Sequence, residues 1–296
     1  MKRVLYILAA VLLLESCEIP FDIDTSGIPP RMFVECMAGG SDTTFMNIGV
    51  AVPVGEPKKE GSDYTVRKIS MLCNGTALNL LKDTQDKMRW SFASSLEEGS
   101  TLEFSLETDQ TSPVHASTRI PVMPSFEVSS SLRDNILCYK LSFGKRTEGT
   151  SALAFAVKAT AADEIPGMPE GIRENFCFLQ TVKEQLGIIG ALSQSFRTID
   201  LPYRGFPTGA RGIFLKWDDL YDDNILQFGV DYDPEANYTL YVYALSEEAY
   251  GYMNARYEEQ NNAFGILGLA PPGFGYSNIA SGYGILAGFS IREVKF

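Results

Sequence analysis

The sequence predicts an all-β protein: an N-terminal immunoglobulin-like sandwich, followed by a second β-sandwich-like domain that carries one α-helix. Short apolar runs recur roughly every 10 to 15 residues between turn signals, which is typical of antiparallel sandwiches. The run TLEFSLETD alternates Leu102, Phe104 and Leu106 with polar residues, as a half-buried strand does. Only one stretch, near residues 246–260, has the spacing of an amphipathic helix.

The chain divides into four predicted segments. Residues 1–16 form a lipoprotein signal peptide, 17–30 a tether, 31–122 the N-terminal sandwich and 123–296 the C-terminal β-domain. Pro121 and Pro124 mark the boundary between the two domains, because proline cannot donate to a central strand ladder.

The leader begins with Lys2 and Arg3 and continues with an apolar stretch from Val4 to Leu14. A transmembrane helix needs roughly 20 apolar residues, so this stretch fits the core of a secretory signal instead. The sequence LESC then puts an aliphatic residue at −3 and a small residue at −1 from Cys17, which resembles the bacterial lipobox. We therefore predict that Cys17 is the lipidation site and becomes the new N-terminus.

Strands of the first half follow the tether in quick succession. Asn74-Gly75 is a tight-turn signal that predicts a hairpin between two of them. The predicted strands are RMFVECMAG, TFMNIGVAVP, TVRKISMLC, MRWSFAS, STLEFSLETD and VHASTRIP.

Four cysteines remain after the lipobox: Cys36, Cys73, Cys138 and Cys177. An exported protein could oxidise them, and four cysteines allow three connectivities. Alternation places Cys36 and Cys73 among apolar residues, which favours buried thiols, but the sequence leaves disulfide formation open.

The second half has the same strand character until the period changes. Ser246 suits a helix N-cap, and Ala249, Tyr250, Met253 and Tyr257 recur at helical spacing behind it. The predicted strands are NILCYKLSF, ALAFAVKATA, ENFCFLQTVK, RTIDLPY, GIFLKW, ILQFGVD, NYTLYVYAL and the closing GFSIREVKF.

Charge and motifs exclude several classes of function. The net charge is −12 and no basic stripe is present, which argues against binding to nucleic acid. His115 is the only histidine, and no motif of a serine hydrolase, a metalloprotease or a P-loop protein occurs. We predict no catalytic residue, no metal ligand and no cofactor, and therefore no enzyme.

Acidic loops are the only feature in favour of an enzyme. WDDLYDDN contains Asp218, Asp219, Asp222 and Asp223, and GVDYDPEAN adds Asp231, Asp233 and Glu235. A glycosidase needs two carboxyls about 5 to 10 Å apart, whereas acidic turns of an acidic protein are usually solvated. Ala236 occupies the glycine position of a calcium loop, which excludes an EF-hand.

The glycine-rich segment before the last strand carries the candidate binding residues Phe274, Tyr276 and Tyr283. Aromatic rings beside glycines suit a glycan or a peptide ligand, although packing in the core explains such rings equally well. Gly282, Gly284 and Gly288 favour the structural interpretation, since glycine permits positive φ and close backbone approach.

Several segments together resemble the Bacteroidota-type outer-membrane lipoproteins catalogued as a domain of unknown function and often encoded beside TonB-dependent receptors. The resemblance covers the whole chain after the signal. It lies in CEIPFDI from Cys17, RMFVEC, WDDLYDDN, SEEAYGYM and the ending SNIASGYGILAGFS. It implies an outer-membrane, lipid-anchored location, on either membrane face, and a TonB-dependent receptor as partner.

Three functions are compatible with these observations. The working hypothesis is a non-enzymatic lipoprotein that assists a TonB-dependent transporter in nutrient capture. The alternatives are a fimbrillin-like subunit or adhesin, matured by cleavage after Arg31, and a carbohydrate-active enzyme that uses the acidic loops.

Replacement of Cys17 tests the predicted anchor. Cys17→Ala should move the protein from the membrane fraction to the soluble fraction, because no acyl chain can then be attached and each buried methylene contributes about 0.8 kcal/mol of membrane affinity. Immunoblots of fractionated cells measure this, with Ser16→Ala as the control that keeps the thiol. Continued membrane association of the Cys17→Ala protein would contradict the prediction.

Overall fold

The computed structural model describes residues 29–40, 43–51, 64–93, 96–163, 171–179, 197–203, 206–220, 224–261 and 275–296. Within them lie seventeen strands and the helix α1 (Glu247–Asn261). The prediction of an all-β fold with sandwich-like packing and a helix is confirmed.

The strands follow the sequence predictions closely in the first half. They are β1 (Arg31–Ala38), β2 (Thr43–Ala51), β3 (Val66–Cys73), β4 (Thr76–Ala77), β5 (Leu80–Lys82), β6 (Arg89–Ala93), β7 (Thr101–Thr108) and β8 (Val114–Arg119). Asn74 and Gly75 both have positive φ and join β3 to β4 in the predicted hairpin.

The second half adds nine strands and a short 3₁₀ turn at Trp217–Asp219. The strands are β9 (Phe126–Arg133), β10 (Ile136–Phe143), β11 (Ala152–Asp163), β12 (Gly171–Phe176), β13 (Arg197–Tyr203), β14 (Phe206–Lys216), β15 (Ile225–Asp231), β16 (Asn237–Leu245) and β17 (Tyr283–Lys295). The sequence did not predict β9, and β17 begins before the predicted closing strand.

Three sheets organise these strands. A ten-stranded sheet has the order β13-β14-β11-β16-β17-β1-β2-β6-β5, with β12 beside β11. A four-stranded sheet, β4-β3-β7-β8, packs on the β1–β2 end of the large sheet, and a three-stranded sheet, β15-β10-β9, packs on its β11–β16 end. Each smaller sheet therefore closes one sandwich against a different part of the same large sheet.

The core of the first sandwich follows directly from the alternation in the sequence. Met32, Val34 and Cys36 of β1 are buried against Leu102 and Phe104 of β7, as the period of two requires. Burial, and secondarily the Glu35 carboxylate, raises the pKa of the Cys36 thiol to about 12, so this thiol stays protonated at neutral pH. Cys36, Cys73, Cys138 and Cys177 are all free thiols.

The sequence of strand β11 in the second half is a continuous apolar run because both of its faces are covered. Leu153 and Phe155 face the three-stranded sheet, whereas Ala154 and Ala156 face α1. Both faces of β11 are therefore covered, and alanine on one face lets the helix lie close to the sheet.

Helix α1 is held by the cap and the apolar face that the sequence predicts. The Ser246 hydroxyl accepts a hydrogen bond from the Ala249 N–H at 3.2 Å, which caps the first turn. Ala249 and Met253 are buried on the sheet, and Tyr250 and Tyr257 pack beside them. No helix in these described ranges is long and apolar enough to cross a membrane.

The last strand joins the two sandwiches. The first half of β17 pairs in parallel with β1, from Tyr283 beside Phe33 to Gly288 beside Ala38. The second half pairs antiparallel with β16, beginning with Phe289 beside Leu245. One strand thus belongs to the cores of both sandwiches, and it changes partner between residues 288 and 289.

Gly284 makes the β1–β17 contact possible, and its replacement tests that contact. Its φ is +103°, and a Cβ there would lie 1.9 Å from the Val34 carbonyl oxygen. Gly284→Ala should therefore lower the free energy of unfolding in denaturant well beyond the cost of the left-handed conformation alone, which is about 1–2 kcal/mol.

Gly75→Ala is the matched control for this substitution. Gly75 also has a positive φ, +80°, but a Cβ there would meet no atom within 4 Å. Equal losses of stability in the two variants would show that the close approach to Val34 is unimportant.

Candidate functional site

The outer face of the four-stranded sheet carries a groove of about 730 Å³. Its lining consists mostly of polar side chains: Ser70, Leu72, Thr101, Glu103, Phe104, Ser105, His115, Ala116, Ser117, Asn278 and Ala280.

Strand register brings the polar residues of the groove together in rows. Ser105 of β7 lies between Ser70 of β3 and His115 of β8, and Glu103 lies beside Ser117. The hydroxyl oxygens of Ser70 and Ser105 are 2.8 Å apart and share a hydrogen bond. The floor is therefore a set of hydroxyl groups, with one carboxylate and one imidazole next to them.

The segment 278–280 forms the wall of the groove along β8. Ala280 and His115 bridge the segment to the strand, with the Ala280 N–H donating to the His115 carbonyl oxygen at 2.8 Å. The Asn278 side-chain amide donates to the carbonyl oxygens of Leu286, at 2.7 Å, and Ser117, at 3.3 Å, and its oxygen accepts from the Leu286 N–H at 2.9 Å. Asn278 thus fastens the wall to both β17 and β8.

The groove offers both donors and acceptors of hydrogen bonds to a ligand. Serine hydroxyls and the imidazole can do either, whereas the Glu103 carboxylate accepts. Such a lining suits a ligand rich in hydroxyl groups.

Glu103, Ser105 and His115, which are residue types of a catalytic triad, all line the groove. The Ser105 hydroxyl is bonded to Ser70. An activated nucleophile instead has its hydroxyl bonded to the base.

No group of three or more acidic, histidine or cysteine side chains that could hold a metal ion occurs among the residues that the structure describes.

Of the residues that the sequence singled out for binding, Tyr276 and Tyr283 do not line the groove. Cys17 and Phe274 lie outside the described residues. The Tyr276 ring packs on α1 beside Gly251. A Cβ at Gly251 would be only 2.7 Å from this ring, which explains the glycine inside the helix. Burial, followed by the charges of Glu248 and Glu247, raises the pKa of Tyr276.

Of the two described candidates, Tyr283 is the one that is open to solvent. Its exposed fraction is 44%, and the Arg31 guanidinium lies 5.3 Å from the centre of its ring. Tyr276 and Tyr283 belong to different surroundings, one under the helix and one at the start of β17, so they do not form a joint aromatic platform.

The acidic loops also lie elsewhere. Asp218 forms an ion pair with Arg146 at 3.4 Å, and the Asp233 carboxylate accepts the Glu235 N–H at 3.0 Å within its own turn. Asp222 and Asp223 lie outside the described residues. None of the described carboxylates of these loops lines the groove.

A second concavity, of about 320 Å³, lies where the tether meets the fold. Its lining includes Pro29, Pro30 and Arg31, together with Gln110–Ser112 and Ser281. Ser281 follows directly on the wall of the larger groove. The two concavities therefore flank the same short segment, and the groove lies beside the entry of the tether.

Sequence reasoning missed Ser70, Glu103 and Ser105 as site residues. Alternation assigned Glu103 and Ser105 to the outer face of their strand. It could not show that Ser70 and His115 would be their neighbours, because the alternation within one strand does not determine which strand pairs with it.

The fold and the groove define an all-β protein of two sandwiches that share their last strand. The chain belongs to the family described as Domain of unknown function (DUF4249), whose model matches residues 18–295.

Comparisons with individual proteins add little. No curated protein matches the chain. One solved structure is described as "Complete structure of manganese lipoxygenase of Gaeumannomyces graminis and partial structure of zonadhesin of Komagataella pastoris". Its alignment covers 77% of this chain and 80% of that chain, with 10% identity and a TM-score of 0.21. A likeness of that degree carries no argument about fold or function.

Asn278 allows a test of the wall. Asn278→Ala should destabilise the protein, because it leaves the N–H and C=O of buried Leu286 without their side-chain partner, at roughly 1–3 kcal/mol for each group. Chemical unfolding measures the loss, and Asn79→Ala, the same change at an exposed asparagine away from the wall, is the control. An unfolding midpoint like that of the wild type would show that the wall is not held by this side chain.

Proposed function

We propose that this protein is a membrane-anchored lipoprotein of the outer membrane that assists a TonB-dependent transporter in capturing a nutrient, without catalysing a reaction. The observation that carries the proposal is the predicted leader, residues 1–16, whose lipobox-like end is followed directly by Cys17. A polar, proline-containing stretch then separates Cys17 from the first residue of β1, Arg31. Such a stretch suits a tether that links an acyl anchor to a folded unit.

The position of the groove supports a role in capture. The groove lies beside the entry of the tether, since residues 278–281 separate the two concavities. A ligand in the groove would therefore be held near the anchored end of the fold, where a transporter in the same membrane could receive it.

The lining of the groove favours a glycan over a peptide with apolar side chains. Ser70, Ser105 and Ser117 present hydroxyls, and Glu103 presents a carboxylate that can accept bonds from sugar hydroxyls. The lining has two large apolar residues, of which Phe104 is buried and Leu72 is half-buried. They therefore offer little surface for an apolar side chain of a ligand.

The two alternative functions have less support from the described residues. Maturation of a fimbrillin-like subunit would require cleavage after Arg31, but Arg31 is already paired with Ala51 in the sheet and stacked on Tyr283. A carbohydrate-active enzyme would need two carboxylates in one cleft, and Glu103 is the only carboxylate among the described lining residues.

Affinity isolation of the full-length protein tests the role as an accessory. After cross-linking in intact cells and extraction in detergent, the protein should bring down a TonB-dependent transporter, identified by mass spectrometry. Cys17→Ala should lose this partner because the protein leaves the membrane. Isolation without any transporter would overturn the proposed partnership.

Variants of the groove test the capture of a ligand separately from the binding of the protein to the transporter. Glu103→Gln should lower binding of the purified protein to an array of immobilised oligosaccharides at least tenfold, while the transporter still co-isolates. Glu107→Gln is the matched control, since Glu107 lies on the same strand and the same outer face but does not line the groove. Binding that is unaffected by Glu103→Gln would show that the ligand is held elsewhere.

A further inference from the structure

Strand β9 is a long edge strand that the fold leaves largely uncovered. Within the described part of the chain it pairs only with β10, at the end of the three-stranded sheet. Six of its eight residues are exposed, and Phe126 and Val128 are half-buried. It has no lysine and no proline, which are the usual protections of an edge against pairing with another chain.

The hairpin between β9 and β10 determines which backbone groups of β9 face outward. Asp134 and Asn135 both have positive φ, so they form a two-residue turn closed by Arg133 and Ile136. In such a turn the closing pair is hydrogen-bonded, and the bonded pairs then alternate. Odd-numbered residues of β9 therefore bond to β10, and even-numbered ones point to the free edge.

Backbone bonds at the far end of the hairpin agree with this assignment. The N–H of Gly144 donates to the carbonyl oxygen of Ser125 at 2.8 Å, which joins an odd-numbered residue to the β10 side. The N–H of Phe143 instead donates to Asn224, on the β15 side. The N–H and C=O groups of Val128, Ser130 and Leu132 thus point away from β10.

Leu132 gives this edge an apolar element. It lies beside buried Leu137 on the inner face of the sheet, yet 54% of Leu132 is exposed. Val128, on the same face, is only half-buried. The edge therefore combines backbone groups that point away from β10 with apolar surface that the described residues do not cover.

We infer that β9 binds β9 of a second copy of this chain, antiparallel and centred on Ser130, so that the two three-stranded sheets become one. In this register Ser130 faces its own copy, and Val128 faces Leu132 of the second copy. Each of these is an even-numbered residue, so their outward N–H and C=O groups meet as hydrogen-bonded pairs.

Charge also makes the edge complementary to itself. The same register places Glu127 directly opposite Arg133 of the second copy, twice in the symmetric pair. A shift of the register by two residues in either direction would break both of these pairs. The surface is therefore self-complementary in backbone, apolar and charged groups, as a twofold interface requires.

Proline substitutions separate the proposed contact from the stability of the chain. Ser130→Pro removes an N–H that the monomer does not use, whereas Ser129→Pro removes one that bonds to β10. Full-length protein in detergent should sediment as a dimer, and Ser130→Pro should raise the dissociation constant at least tenfold with little change in unfolding. Ser129→Pro should instead lower the unfolding midpoint.

A charge exchange tests the register. Glu127→Arg should weaken the dimer by placing two arginines opposite each other, and the double variant Glu127→Arg, Arg133→Glu should restore it. The sedimentation of wild-type protein should be measured at concentrations that differ by 100-fold steps up to about 0.1 mM. A protein that is monomeric at all of these concentrations would overturn the inference. So would a dimer whose dissociation constant is the same in the wild type and in Ser130→Pro.

Discussion

Strand β17 hydrogen-bonds to β1 with its first half and to β16 with its second half, and both sandwiches depend on this one strand. Its inward residues fill different cores: Leu286 packs in the first sandwich, whereas Ile285 and Phe289 pack beneath α1. The two sandwiches are therefore not independent domains connected by a linker. Their orientation is fixed by the ladder of a single continuous sheet.

The point at which β17 changes partner is held by a small cluster of polar and glycine residues. The Ser246 hydroxyl, besides capping α1, accepts the Gly288 N–H at 3.2 Å. Thr118 of β8 donates to Glu248 in the first turn of α1 at 2.9 Å. The Thr118 and Ser246 hydroxyl oxygens are also 3.4 Å apart, so one buried serine links the helix, the shared strand and the edge of the four-stranded sheet.

Glycine permits these elements to meet without space for side chains. A Cβ at Gly288 would lie 2.2 Å from the Arg119 carbonyl oxygen, and one at Gly39 would lie 1.8 Å from that of Phe289. Backbone approach of this kind is possible only at residues without a side chain. The glycines near the end of the sequence are therefore part of the joint between the sandwiches.

The sequence predicted the elements far better than their assembly. The alternation of β7, the Asn74-Gly75 turn and the Ser246 cap are local signals, and each is present in the structure. Strand β9 was missed because its serines, Ser129–Ser131, provide no apolar alternation.

The candidate site was hidden for a different reason. Its polar residues come from β3, β7, β8 and the segment before β17, which meet only through long-range pairing. His115 has no partner nearby in the sequence, and its neighbours Ser105 and Ala280 follow from the topology. A period of two assigns a face to a residue but gives no information on which strand lies beside it.

The shared strand also affects the order of events during biosynthesis. Residues 283–288, which complete the sheet of the first sandwich, are synthesised after every other strand of the described fold. Contacts between such distant parts of a chain form slowly, because a long loop must close before any bond is gained. A chain leaving the ribosome therefore lacks the strand beside β1 until residues 283–288 have been synthesised. For the exported lipoprotein that we propose, this delay is useful, since a chain that folds late remains unfolded long enough to be threaded through a membrane channel. Pulse proteolysis of nascent chains that end before residue 283 would reveal early folding if this were not so.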